Sequence, residues 1–241
     1  MPNNVEKMTI NYSPNFDLKK RPSSKIKYLI FHYTGMKSDK SAIKKLTDIN
    51  SKVSCHYYID QKGKIIQMVP ELYVAWHAGQ SSWGKDKSLN KNSIGIEISN
   101  PGHQHGYKNF NKKQIYSLIK LSKKLIKKYS IKNKYILGHS DIAPLRKKDP
   151  GEKFPWKILS KKNIGIWHNY KKKIKNRFID IKSTDLKNEF FFNLRKYGYS
   201  INSNRLLDKR KIVKVFQMRF RPENVNGIID FETYDILKTL K

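Results

Sequence analysis

Apolar positions set short strands against helices until about residue 179. Residues 26–33 (IKYLIFHY) form a compact apolar and aromatic run, the pattern of a buried strand, and Thr34-Gly35-Met36 breaks it. Ala42, Ile43 and Leu46 recur at helical spacing within residues 41–50. Residues 53–60 and 65–69 flank the turn Gln61-Lys62-Gly63-Lys64 and predict a hairpin. Residues 71–91 read as loop, and the alternating stretch 93–99 (SIGIEIS) reads as a further strand. In 111–130, Ile115, Leu118, Ile119, Leu125, Ile126 and Tyr129 share one face and lysines fill the other, the clearest helix of the chain. Tyr135-Ile136-Leu137 predicts a short strand and residues 156–167 a helix, while the polar residues 1–25 read as an arm packed on the domain. Beyond residue 179 strand signals vanish. Three helical stretches follow, at 184–197, 208–220 and 230–240, with Phe190, Phe191, Leu194, Val213, Val215, Phe216, Phe220, Tyr234 and Leu237 as a candidate core. The expected fold class is α/β: a single mixed β-sheet flanked by helices, in a domain over 1–175 (core 26–157), followed by a small three-helix domain over 180–241.

The chemistry concentrates in residues 138–156, Gly138-His139-Ser140-Asp141-Ile142-Ala143-Pro144 through Asp149-Pro150 to Phe154-Pro155-Trp156. Its glycines and prolines exclude a continuous helix. An irregular segment can bend His139 and Asp149 toward one point, and imidazole and carboxylate are both good zinc ligands. On these residues alone a solvated surface loop remains the competing reading. His32, at the strand end before Gly35, is a candidate third ligand, or a core histidine with both nitrogens hydrogen-bonded. His56 is the rival ligand. Glu97, a carboxylate in an otherwise apolar strand, is either a general base facing a polar site or a residue on the solvent face.

The spelling GHSDIAP, then RKxDPG and FPW, resembles the zinc-dependent N-acetylmuramoyl-L-alanine amidases that share a fold with peptidoglycan recognition proteins, nearest the branch that cleaves anhydro-muropeptides. The resemblance covers about residues 10–157. It implies Zn²⁺ held by His32, His139 and Asp149, Glu97 as general base, and Lys147, two residues before Asp149, as oxyanion stabiliser. His77, with Trp76 and Tyr33, is implied to contact substrate, His77 also as a donor to the transition state, with a structural role for His77 as the other reading; His56 is implied to serve structure. His103 and His105, on a Gly-rich loop, are expected to be solvated. Residues 214–240 resemble, less closely, the second half of a three-helix peptidoglycan-binding module; a helical appendage that only buttresses the first domain is the other reading. The implied substrate is peptidoglycan or a muropeptide. A wall-binding recognition protein without catalysis is the alternative, although all three ligand positions are filled.

Composition narrows this further. Against 19 acidic residues stand 51 Lys and Arg, a formal charge of +32. The excess is spread along the chain and is mostly lysine, with no arginine-rich arm. It reads as a composition bias, with attraction to an anionic polymer such as cell-wall material as another reading; a basic nucleic-acid-binding protein is the lesser alternative, and no nucleic-acid partner is expected. The single cysteine, Cys55, excludes an intramolecular disulfide and sits in an apolar run as a buried thiol. No GxxxxGK[ST] phosphate loop is present, and no apolar run approaches the length of a membrane span. The N-terminal residues lack a basic stretch followed by an apolar one. A cytoplasmic monomer is expected, with the periplasm or cell envelope as the alternative because of the wall-binding resemblance.

Overall fold

The computed structural model describes residues 9–171 and 177–240. They form two compact units: one from the residues up to His77 together with Asn90–Ile131, the other from Ala78–Leu89 together with the residues from Lys132 onward. Residues 1–8 of the expected arm lie outside the described residues.

The first unit holds a mixed sheet, as expected. Tyr28–Tyr33 pairs in parallel with Ser93–Ile98, which pairs in parallel with Tyr57–Ile59. Tyr57–Ile59 runs antiparallel to Ile65–Gln67, the hairpin read from the sequence. The arm contributes strands of its own: Thr9–Ile10 adds in parallel to Ile65–Gln67, and Phe16–Asp17 pairs with Val74–Ala75.

Paired residues of neighbouring strands face the same side, and successive residues alternate. The register His32↔Glu97 and Tyr58↔Glu97 therefore puts these three side chains in one row. Phe31, Ile96 and Tyr57 form the neighbouring row on the opposite face. Helix α1 (Asp39–Thr47) is started by a reciprocal Ser38/Ser41 cap and lays Ala42 and Leu46 against Cys55, Tyr58, Ile66 and Met68. Helix α2 (Lys112–Tyr129) begins at an Asn111/Gln114 capping box and ends at Ser130 in the left-handed region. It buries Leu118, Leu121 and Leu125. Below its end, Glu71 accepts hydrogen bonds from Tyr57, Lys128 and Tyr129, so a nearly buried carboxylate fastens α2 to the Tyr57 side of the sheet.

In the second unit, the short strand Ile136–Gly138 runs into α3 (His139–Ile142), a single turn where the sequence suggested irregular backbone. Helix α4 (Trp156–Ser160) is shorter than expected. The apolar spacing that suggested a helix to residue 167 is cut by Asn163 and Gly165, both in the left-handed region at φ 60° and 76°. The C-terminal helices are α5 (Thr184–Tyr197), α6 (Leu206–Phe220) and α7 (Phe231–Thr239). Their expected core is buried apart from Phe191, which is half-buried. Asp230 caps α7 through Thr233 N at 2.8 Å. The hairpin Ser82–Trp83/Asp86–Lys87 lays Trp83 on Tyr197 and Tyr199, over Gly198. Among the described residues, no helix is long and apolar enough to cross a membrane.

Candidate metal centre

His32 is the next-to-last residue of its strand and is buried. Its Nε2 lies 3.0 Å from Nδ1 of His77, whose Nε2 in turn lies 3.1 Å from Ser93 Oγ. The His77 ring fits because position 95 is glycine: a Cβ there would stand 2.4 Å from the ring. A glycine inside a strand marks such a close approach, so Gly95 in the IGIE stretch was a legible signal for a neighbour. Which neighbour it was, and the part Ser93 plays, went unread.

His56 is not available to a metal. Its Nδ1 accepts the Gly95 N–H at 3.0 Å and its Nε2 donates to the Tyr73 carbonyl at 3.0 Å, with Arg21 Nη2 at 3.1 Å. Burial first, and then the Arg21 cation, hold its pKa down at about 3. Neutral His56 is the folded form, and the unfolded chain takes up a proton from about pH 6.5 downward. This contribution to stability is therefore complete above pH 6.5 and is lost as pH falls toward 3. At pH 5 the expected loss is about 2 kcal/mol. Urea unfolding at pH 7.5 and pH 5 checks it: the wild-type difference should exceed that of His56→Gln by this amount.

His139 opens α3. Its Nδ1 is 3.0 Å from Asp149 Oδ2 and its Nε2 is 3.1 Å from the Ala78 carbonyl. The backbone adds a tie, Ser140 N–H to Asp149 O at 2.7 Å. Among the described residues, His32, His139 and Asp149 form a buried group in which one ligand atom from each lies within 4.8 Å of the others. Two imidazoles and one carboxylate at that spacing fit a catalytic zinc, which takes three protein ligands and keeps one open place. Lys147 is half-buried. Its neighbour Arg146 donates to the carbonyls of Ala78 and Gln80 at 2.9 Å and lies 3.4 Å from His139 Nε2.

A family model described as N-acetylmuramoyl-L-alanine amidase matches residues 22–152, more than half of the chain. The chain belongs to the N-acetylmuramoyl-L-alanine amidase family. AmiD of Escherichia coli K12, an N-acetylmuramoyl-L-alanine amidase, is 37% identical over 236 residues, which cover 90% of this chain and 82% of AmiD. AmpD of Haemophilus influenzae, a 1,6-anhydro-N-acetylmuramyl-L-alanine amidase, is 32% identical over 162 residues, covering 60% of this chain and 85% of AmpD. The structure of E. coli AmiD with the substrate anhydro-N-acetylmuramic acid-L-Ala-D-gamma-Glu-L-Lys matches at TM-score 0.78 and 35% identity, over 93% of this chain and 91% of that one. AmpDh3 of Pseudomonas aeruginosa, in complex with anhydromuramic pentapeptide, matches at TM-score 0.79 and 30% identity, over 100% of this chain and 96% of that one.

Within this amidase, Glu97 stands beside His32 by strand register. Its charge, after burial, helps hold the Cys55 thiol far above its ordinary pKa, so Cys55 is an inert buried group. The residues expected to touch substrate have protein neighbours. Trp76 is half-buried and donates from Nε1 to Asp17 of the arm at 2.7 Å. Tyr33 Oη lies 2.9 Å from His103 Nδ1, and His103 stacks on Tyr107 at 4.5 Å. His103 is thus part of an aromatic cluster with Tyr33, not a solvated loop residue; His105 is exposed.

Gly95→Ala is expected to displace the His77 ring, because the added methyl has no room. Overpacking of this kind costs about 1–3 kcal/mol. Thermal unfolding measures that cost, and zinc content per chain reports whether His32 has lost its support.

Proposed function

We propose that the chain is a zinc-dependent amidase that cuts the bond between the lactyl group of N-acetylmuramic acid and L-alanine in anhydro-muropeptides and related cell-wall fragments. The observation that carries this is the buried His32, His139 and Asp149 group in an amidase-family chain, with Glu97 registered beside His32. The anhydro-muramoyl peptides held by AmiD and AmpDh3 support the substrate class.

In this reading His32, His139 and Asp149 hold the zinc. When bound, zinc acidifies a water and polarises the scissile carbonyl. Glu97 accepts the proton released as water attacks and returns it to the leaving amine of L-alanine. Lys147 offers an ammonium to the oxygen on which negative charge develops. His77 acts through His32. If His32 binds through Nδ1, its Nε2 must carry the proton and donate to His77 Nδ1. The His77 Nε2–H then donates to Ser93, and this chain of donors fixes the ring and tautomer of His32. Residues 180–241 are proposed to help retain the protein on peptidoglycan.

The test is a digest of anhydro-muropeptides and of purified peptidoglycan, with and without a zinc chelator, read by mass spectrometry. The expected result is peptide with a free L-alanine amino end, absent after chelation and restored by zinc. Zinc bound, cell wall retained and no peptide released would instead make the chain a recognition protein.

A further inference from the structure

Asp141 lies two residues beyond His139 on the turn of α3 and is 1% exposed. Its Oδ2 accepts the Gly138 N–H at 2.8 Å and pairs with the Arg219 guanidinium. Its Oδ1 accepts the Tyr199 hydroxyl. Arg219 is itself 3% exposed, donates from Nη2 to the Ile136 carbonyl at 3.0 Å, and sits 4.2 Å over the Trp156 ring. Tyr199 follows the end of α5 and is wedged against Trp83, with ring centroids 4.9 Å apart.

Burying a carboxylate and a guanidinium is costly unless both are paired and hydrogen-bonded. Here the partners gather on one short stretch. The Ile136 carbonyl and Gly138 amide precede His139, and Asp141 follows it, so the backbone on both sides of His139 is held. The hydrogen bond from Ser140 N to Asp149 O carries the constraint to the second ligand residue. An ion pair serving only the helices would have no reason to converge on this turn. The sequence separations, 58 residues from Asp141 to Tyr199 and 78 to Arg219, explain why no local motif announces it.

We infer that Arg219 and Tyr199 are positioning residues of the metal centre: by fixing Asp141 they set where His139 and Asp149 present their ligand atoms. The inference rests on the reading of His32, His139 and Asp149 as zinc ligands. On it, the C-terminal helices complete the catalytic site as well as offering any surface for the wall.

The experiment uses the full chain. Tyr199→Phe keeps the ring and removes one hydroxyl. Arg219→Lys keeps the charge but lacks the fork that reaches Asp141 and Ile136 together. Tyr234→Phe, which removes a hydroxyl bonded to Glu189 at 2.6 Å, is the structural control. Zinc affinity is measured by chelator competition, and Tm with and without zinc. Tyr199→Phe is expected to weaken zinc about tenfold or more, to shrink the rise in Tm that zinc produces, and to shift the visible spectrum of the Co²⁺-loaded protein; the control should do none of these. Equal falls in Tm with and without zinc, at wild-type affinity and spectrum, would overturn the inference. If Arg219→Lys does not fold, Tyr199→Phe decides. Wild-type protein that binds no zinc would remove the ligand reading itself, and this inference with it.

Discussion

Glu97→Gln is expected to keep its zinc while kcat on an anhydro-muropeptide falls by about 10²- to 10⁴-fold, the range that a positioned proton carrier contributes. The substitution preserves shape and hydrogen bonding but removes the site that takes the proton from water. Register makes the effect local: Glu97 stands between His32 and Tyr58 in one row of the sheet, and the proposed ligands are other residues. Zinc per chain by atomic absorption and kcat by chromatography of released peptide separate the two roles. A variant that turns over at the wild-type rate would take Glu97 out of the mechanism; one that loses zinc would make it part of the metal's support instead.

Arg221→Met is expected to cost about 3–5 kcal/mol of unfolding free energy, the usual consequence of stripping one partner from a buried pair. Arg221 is 1% exposed and its Nη1 lies 2.9 Å from Asp230 Oδ2 and 3.9 Å from Glu232 Oε2. Glu232 keeps a second cation, Arg177 at 3.4 Å, so the stranded charge is chiefly that of Asp230. The expected fall in Tm is about 6–20 °C. Adding Asp230→Asn should recover part of the loss, because asparagine still caps α7 and carries no charge. If the double variant is no more stable than the single one, the charge pairing is not what Arg221 supplies.

The sheet was legible because its strands carry strong local signals, such as the run into His32 and the alternation around Glu97. Helix α2 was legible because its apolar face and its Asn111/Gln114 start agree. The end of α4 was misread where backbone conformation at Asn163 and Gly165 overrides apolar spacing. His32, His139 and Asp149 were picked out by a spelling learned from a family, since nothing local shows that three scattered residues meet. What supports them was hidden for the same reason: His77 on Gly95, Ser93 behind His77, and Arg146 at Ala78 are contacts across many residues. Gly95 left a trace in the sequence. His103 gave no such signal, and its pairing with Tyr33 became visible only in three dimensions.

The Asp141 anchorage bears on how this protein can be engineered. Wall hydrolases invite cassette design, in which one targeting module is cut away and another fused in its place. Here the seam that the sequence suggests near residue 180 falls inside one compact unit, which runs from Lys132 onward. A chimera that discards everything after it takes Tyr199 and Arg219 with it and leaves Asp141, two residues from His139, with its counter-charge gone. A donor module grafted there must bring its own hydroxyl and guanidinium to the same turn, or the designer must first make position 141 neutral.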